Sequence, residues 1–246
     1  MMIPLRTLVI VELRKATDTR AARAVFAIIV ALGLGAALLT ARDEPSFAES
    51  ISAPLLPLTA LLPIVAVLAV TGDWTQRVAL TTFALVPRRR RILMARLIAC
   101  VALVLVTAFV VAALGALSSL ILHPGAIAHA DPGLVGRNLW GVTALALCAA
   151  LSGAAIGSLL LNTPAAIAVT LVVPITYDIV LGLNAPSVAP WVSSLAFTTW
   201  LSQPNWGWEA LPDGVPGIGQ AASSLVLWII VPLAVGWWRQ LRREVR

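Results

Sequence analysis

Six long apolar runs, separated by short polar connections, dominate the hydropathy pattern of this chain. Each run has at least the roughly 17 residues that a transmembrane α-helix, rising about 1.5 Å per residue, needs to cross the hydrocarbon layer, the first two with least to spare. The third run is longer than a crossing needs, so its helix is expected to tilt or to project beyond the membrane. The pattern predicts an all-α integral membrane protein with six transmembrane helices, at residues 24–40, 54–71, 93–122, 139–161, 164–183 and 219–238.

Composition places most of the chain in lipid. Of its 246 residues, 60% are hydrophobic and only 11% are charged, and the mean hydropathy is +0.95. Soluble domains average roughly 25% charged residues. Cys100 and Cys148 lie inside apolar runs, far apart, and are expected to be small core residues rather than a disulfide or a metal site.

The first 23 residues have a mixed polar and apolar pattern. Charges are scattered through residues 3–23 and no small-residue cleavage site follows an apolar core, so this is not the pattern of a signal peptide. Leu5, Val9, Leu13 and Ala16 share one helical face, while Arg6, Arg14, Lys15 and Asp18 occupy the remainder. Residues 3–23 are therefore predicted to form an interfacial amphipathic helix in the headgroup layer.

Basic residues fix the predicted orientation. Fifteen of the seventeen lie on one side of the predicted membrane, namely before the first run, from the end of the second run to Arg96 near the start of the third, or after the sixth, and only Arg42 and Arg137 lie on the other. By the positive-inside rule both termini are cytoplasmic, in the cell (cytoplasmic) membrane. This distribution also explains the pI near 10.9 without a nucleic-acid partner.

The longest outer connection lies between the fifth and sixth runs. It carries four tryptophans and five prolines, and residues 189–201 within it are apolar but too short to cross. A re-entrant or interfacial helix is predicted there. The fourth and fifth runs are separated only by Asn162 and Thr163, so a tight cytoplasmic hairpin is expected, broken at Pro164. Ala149, Gly153 and Gly157 form a small-residue face that predicts a close helix contact, within one subunit rather than between two.

Between the second and third runs lies the densest charge of the chain. Residues 73–86 are predicted to form a cytoplasmic amphipathic helix with Asp73 at the N-cap and with Trp74, Leu80 and Phe83 on its apolar stripe. Pro87 stops the helix, and a basic cluster follows, composed of Arg88, Arg89, Arg90 and Arg91. Two interpretations stay open: a helix that presses on a partner, or a solvated loop that only fixes topology.

Candidate catalytic residues are scarce. The sequence contains no G-x-x-x-x-G-K-[S/T] loop, and His123 and His129 have no companions with metal-ligand spacing, so neither an ATPase nor a metal site is predicted. Asp178 is the one carboxylate within the six apolar runs. It lies next to Tyr177 and four residues after Pro174. It is either a pathway or gating residue or a carboxylate hydrogen-bonded across a helix interface.

The segment GDWTQRVALTTFALVPRRRRILMARLIA, together with the predicted layout, resembles the permease subunit of type-2 ATP-binding-cassette exporters, and its local pattern is similar to that of actinobacterial members. The resemblance implies that residues 73–86 are a coupling helix, with Asp73, Trp74, Arg77, Leu80 and Phe83 against a separate ATPase subunit. The family commonly has Glu where Asp73 stands, and often Gly-Thr where Arg77 and Val78 stand.

The same resemblance implies a bacterial, non-enzymatic permease that pairs with an identical or similar permease. ATP and Mg would bind in the partner ATPase, and no cofactor would bind in this chain. The expected substrate is hydrophobic or amphipathic: a drug, a lipid or a peptide. One alternative is a non-transporting membrane scaffold or immunity protein. Another is an enzyme, an intramembrane hydrolase, but the apolar runs contain no histidine to pair with a serine and only one of the two carboxylates that an aspartyl protease needs.

Overall fold

The computed structural model describes residues 4–43, 45–75, 89–201 and 215–242, and within these ranges it contains helices and turns but no strand. The all-α prediction is therefore confirmed for the described residues. The helices are α1 (Leu5–Asp18), α2 (Arg20–Thr40), α3 (Phe47–Ser52), α4 (Leu62–Thr75), α5 (Arg89–Leu122), α6 (Pro132–Leu160), α7 (Thr163–Asn184), α8 (Ala189–Val192), α9 (Ala196–Leu201) and α10 (Ile218–Arg242).

Five helices in the described part of the chain are long and apolar enough to cross a membrane: α2, α5, α6, α7 and α10. Their bounds agree with five of the six predicted runs to within a few residues at most ends. The chain is thus built to be embedded in a membrane. Helix α10 contains one π-helical turn, Val226–Ile230.

The second predicted span, residues 54–71, is not one helix. It is replaced by the short helix α3, a 3-10 turn at Ala53–Leu58 and the 14-residue helix α4. Pro54 and Pro63 explain the break, because proline has no N–H to donate within a helix. At about 1.5 Å per residue, α4 alone is about 21 Å long, shorter than the hydrocarbon layer.

Helices α3 and α4 nevertheless contact the long helix α5 at two widely separated points. Helix α3 contacts α5 where Gly115 meets the Ser50 carbonyl oxygen, and α4 contacts it where Asp73 meets Arg96. Along α5 these points lie about 28 Å apart at the rise of an α-helix. A sixth crossing by this broken segment therefore stays a prediction.

The first helix is shorter than the predicted range of residues 3–23. Helix α1 ends at Asp18, and Thr19 takes an extended conformation and caps α2 by accepting a hydrogen bond from the Ala22 N–H at 3.1 Å. Arg20 and Arg23 thus belong to α2. The threonine side chain satisfies a free N–H of a new first turn, which favours a break at that point.

Helices α5 and α6 form the centre of the bundle. Within their most apolar windows 44% and 67% of the residues are buried, against 22%, 11% and 17% in α2, α7 and α10. Most of the principal core lies where α2, α4, α5 and α6 meet, around Ile29, Leu62, Val104 and Ala150. The outer helices leave large apolar side chains exposed, as lipid contact requires.

The small-residue face of α6 packs inside the subunit, as predicted. A Cβ added at Gly153 would overlap the Pro63 carbonyl oxygen and lie 2.7 Å from the Ala66 Cβ, and one at Gly157 would lie 3.4 Å from Val70. Helix α4 therefore approaches α6 as closely as its backbone allows. Such close approach is the use that membrane helices make of glycine.

One end of the bundle, here called the basic end, is where α10 finishes and α5 begins. Arg89 donates to the carbonyl oxygens of Gln240 and Leu241 at 3.4 and 3.5 Å, and Arg239 donates to that of Leu159 at 3.0 Å. The predicted hairpin lies there too: Leu161 is left-handed (φ 56°), and Asn162 caps α7 through the Ala165 N–H at 3.1 Å.

Candidate functional site

A buried ion cluster, defined by Glu12, Lys15, Asp73 and Arg96, joins three helices at the basic end. Arg96 of α5 donates from Nε to Glu12 of α1 at 3.2 Å, and its Nη2 donates to Asp73 of α4. Lys15 lies 3.1 Å from Glu12 and 3.3 Å from Asp73. Arg96 also donates to the Val70 carbonyl oxygen at 3.4 Å.

The cluster is electrically balanced, since it holds two carboxylates and two cations. Arg96, Glu12 and Asp73 are buried, with side-chain exposures of 3%, 8% and 8%, whereas Lys15 is 35% exposed. Burying a charge without a partner would cost several kcal/mol, by general estimates for proteins. The pairing therefore fixes the relative positions of α1, α4 and α5. Withdrawing α4 or α5 would leave an unbalanced charge, and withdrawing α1 would break the bonds of Glu12 to Arg96 and of Lys15 to Asp73.

Asp73 does not cap a new helix, contrary to the sequence prediction. It lies in the last turn of α4, which continues through Trp74 to Thr75. Arg96 and Lys15 hold its carboxylate, so that side chain is part of the ion cluster. The remainder of the predicted coupling helix, residues 76–86, lies outside the described residues.

The other coupling and basic residues fall into two groups. Arg77, Leu80, Phe83 and Arg88 lie outside the described residues. Trp74 is half-buried with its indole nitrogen in the interior. Arg90 is exposed, and Arg91 is partly buried. Arg89 anchors the end of α10, as given above, and so has a structural role besides any effect on topology.

Hydroxyl groups tie α4 to the hairpin beside the ion cluster. The Thr163 hydroxyl lies 2.7 Å from those of Thr71 and Thr75. Thr71 is fully buried, and its hydroxyl also donates to the Val67 carbonyl oxygen at 2.8 Å. The end of α4 is thus held from two sides, by charges towards α1 and α5 and by hydroxyls towards α7.

A second feature is a cavity of about 580 Å³ between α4, α6, α7, α9 and α10. Its described lining is mainly apolar, with Ile156, Leu171, Phe197 and Trp228 among its walls. The polar groups that reach it include the side chains of Thr170, Asp178, Ser194 and Ser224. A volume of this size falls within the range of about 300–1,000 Å³ typical of small-molecule sites.

The three residues proposed from sequence as pathway residues lie together on this side of the molecule. Asp178 and Pro174 line the cavity. The Asp178 carboxylate accepts from the Ser194 N–H at 3.2 Å and from the Ser194 hydroxyl at 2.8 Å. Tyr177 is absent from the described lining, is 46% exposed, and meets the Trp228 ring edge to face at 6.0 Å.

Residues 189–201 form two short helices, α8 and α9, separated by a turn, and the part of this segment from Ser194 to Thr199 contributes to the cavity wall. They are held at three points: the Trp228 indole donates to the Val192 carbonyl oxygen at 2.8 Å, the Ser223 hydroxyl to that of Trp191 at 2.6 Å, and the Trp140 indole to that of Leu201 at 3.1 Å. The single short helix predicted at residues 189–201 is thus two helices. Between them the Ser193 hydroxyl oxygen accepts from the Leu195 N–H, and the Ser194 hydroxyl donates to the Asp178 carboxylate.

Compared with family models and with curated proteins, the sequence matches none. The geometry of the ion cluster and the cavity therefore has to carry the functional argument. Within the described residues, no group of three or more His, Cys, Asp and Glu side chains is arranged to hold a metal ion. Cys100 and Cys148 are free thiols, and His123 bonds to the Ala41 carbonyl oxygen at 2.7 Å.

Sequence reasoning missed two members of the ion cluster, although signals for both were present. Glu12 falls between Val9 and Leu13 on the apolar stripe of α1, where a charge needs a buried partner. Arg96 falls inside the third apolar run, near its start, where the positive-inside rule accounts for its charge without assigning it a partner. An ionisable residue within such a run indicates an internal partner.

Proposed function

We propose that this chain is the membrane-spanning subunit of an ATP-driven exporter of the type-2 ATP-binding-cassette class. It would work with a separate ATPase subunit and pair with an identical or similar permease in a bacterial cell membrane, with both termini cytoplasmic. The observation that carries the proposal is the buried ion cluster. It connects the amphipathic helix α1 to the end of α4, directly before the segment that resembles a coupling helix.

The mechanism assigns a mechanical role to this connection. Closure of the ATPase subunits on ATP would displace the segment at residues 76–88, and α4 would move with it. Because Asp73 is paired with Arg96, and Arg96 with Glu12, the displacement would reach α5 and α1 together. Helix α4 packs tightly on α6 at Gly153, so the centre of the bundle would repack between two states.

ATP binding and hydrolysis belong to the partner in this proposal, since the sequence contains no phosphate-binding loop. The purified chain alone is expected to hydrolyse no ATP above the level of a mock purification. Residues that touch the lipid and the cavity are mainly apolar, which favours a hydrophobic or amphipathic substrate over a long polysaccharide.

The test is recovery of the ATPase. The chain is isolated from native membranes in mild detergent, the co-purifying subunit is identified by its phosphate loop, and the pair is then produced together. Trp74→Ala removes the largest side chain at the end of α4, and such truncations at interfaces cost about 2 kcal/mol or more, about thirtyfold in affinity. Trp191→Ala, in α8 and beside the start of α10, is the matched control and should retain the partner.

A third variant separates docking from charge. Arg90→Gln, at an exposed position, should retain the ATPase, because Arg88, Arg89 and Arg91 still keep the loop basic and Arg89 keeps its bonds to the end of α10. If Trp74→Ala retains the partner and the arginine variant loses it, the basic cluster and not the apolar face is the docking site. If no protein with a phosphate loop is recovered and ATP drives no transport in vesicles, the exporter proposal fails in favour of a membrane scaffold.

A further inference from the structure

We propose that the cavity beside Asp178 binds a cationic amphiphile, with the Asp178 carboxylate as its counter-ion. The inference deepens the proposed function, since this ligand would be the exported substrate. It names the chemistry of that substrate: one positive charge on a compact apolar body.

The charged groups of the cavity favour a cation. Of the described residues that line the cavity, Asp178 alone carries a carboxyl group, and none of them is lysine or arginine. The hydrogen bonds from Ser194 occupy one acceptor site on each carboxylate oxygen, whereas an ionised carboxylate offers about four sites. Capacity for a cation therefore remains. A carboxylate within a membrane helix is costly without a partner of opposite charge, and a bound cation would supply one.

The buried Thr170 hydroxyl also favours a bound ligand, independently of charge. Thr170 lies two turns before Asp178 on α7 and also lines the cavity. Its side chain is 8% exposed, and its Oγ1 has no hydrogen-bond partner among the described residues. A buried hydroxyl without a partner is unfavourable, so a ligand polar group or a ligand-bound water would complete it. Thr170 and Asp178 thus place polar groups two turns apart on the α7 wall of the cavity, and the other α7 residues that line it, Leu171, Pro174 and Ile175, are apolar.

The Trp228 side chain, on the cavity wall, is held in place by other groups of the chain. Trp228 is held by its hydrogen bond to the Val192 carbonyl oxygen and by edge contact with Tyr177. Its ring lines the same space as the Asp178 carboxylate. Aromatic faces attract cations, and apolar walls favour the body of an amphiphile, so the lining suits both halves of such a ligand.

Other ligand classes fit this site less well. An anion would be repelled by Asp178, and a sugar chain would have to bury its many hydroxyl groups against a mainly apolar lining. A plain acyl chain would leave the carboxylate and Thr170 uncompensated. Access is consistent with an amphiphile, because the lining residues Ile175 and Leu195 are 56% and 62% exposed on the apolar outer surface. A ligand dissolved in the lipid could enter there.

Two probes of the same size and shape test the sign of the charge: tetraphenylphosphonium and tetraphenylborate. Equilibrium dialysis of the purified full-length chain in detergent should show saturable binding of the cation and weaker binding of the anion. Asp178→Asn should lower the affinity for the cation by about tenfold or more, since it removes the half-buried counter-charge. Asp131→Asn is the matched control. It changes a carboxylate that caps α6 at the opposite end from the basic end, and asparagine caps equally well.

A second variant covers the case that Asp178→Asn does not fold. Ser152→Phe would extend an aromatic ring into the cavity from α6 and should abolish saturable binding of both probes. Equal affinity of the native chain for the two probes, or binding of the cation undiminished by both variants, would overturn the inference. ATPase recovery is measured separately, so failure of the ligand site leaves the exporter proposal standing, and loss of the ATPase leaves the ligand site standing.

Discussion

Arg96 of α5 and Glu12 of α1, 84 positions apart in the sequence, are joined by a hydrogen bond of 3.2 Å between Nε and Oε2. Both side chains are buried, and Asp73 and Lys15 complete the pairing. The contact holds an amphipathic helix against the longest helix of the bundle. It also explains why a charged residue within an apolar run is compatible with a membrane-embedded chain.

Arg96→Met should destabilise the chain by about 3–5 kcal/mol, because Glu12 and Asp73 would face each other with only Lys15 between them. Unfolding in detergent, followed by tryptophan fluorescence and gel filtration, measures the change. Arg90→Met alters an exposed arginine of the same helix and should have little effect.

A fully neutral version of the cluster provides a sharper test of that reasoning. The variant with Glu12→Gln, Lys15→Met, Asp73→Asn and Arg96→Met contains no uncompensated charge, so it should be more stable than Arg96→Met alone. Equal or lower stability of the fourfold variant would mean that packing, and not charge compensation, dominates at this point.

Gly153→Ala should destabilise the chain by about 1–3 kcal/mol, since the added methyl would collide with the Pro63 carbonyl oxygen and the Ala66 side chain. Gly141→Ala, on the same helix, places its Cβ with nothing within 4 Å and should be neutral or slightly stabilising. Thermal unfolding of both variants in one detergent compares them. Similar stabilities would show that α4 can move away from α6 at no cost.

Thr163→Val should loosen the hairpin from α4, because it removes the hydroxyl shared with Thr71 and Thr75 at 2.7 Å. The expected loss of stability is about 1 kcal/mol for each hydrogen bond. Protection of the Thr75 amide from hydrogen exchange should fall more than the global stability does. Thr176→Val, at an exposed position of α7, serves as the control and should leave that protection unchanged.

Orientation can be tested with single cysteines in a chain carrying Cys100→Ala and Cys148→Ala. Ala128 and Ser187 are exposed beyond the ends of α5 and α7, and Asp18 is exposed at the basic end. An impermeant thiol reagent added to intact cells should label cysteines at the first two positions and leave one at Asp18 unlabelled until the membrane is opened. The reverse pattern would place the basic end outside.

Sequence alone determined the class of the protein and most of its long helices. Apolar runs of this length can be solvated only by lipid or by one another, and in lipid every backbone group must bond within a helix, so helix type and approximate bounds follow from hydropathy. The tight contact at Gly153 and the hairpin at Asn162 and Pro164 were also predictable, since they depend on residue size and on backbone chemistry near in sequence.

Tertiary structure decided which polar residues face one another. Hydropathy is averaged over a window of residues, so it does not reveal the helix break at Pro54 and Pro63 or the single charge of Arg96 within an apolar run. The local sequence around Asp73 fits a helix cap, and for that reason it predicts a helix start there. The arginine that pairs with the Asp73 carboxylate comes from another helix. A buried charge takes its role from the charge it meets across the bundle, and that partner is fixed only when the helices have packed.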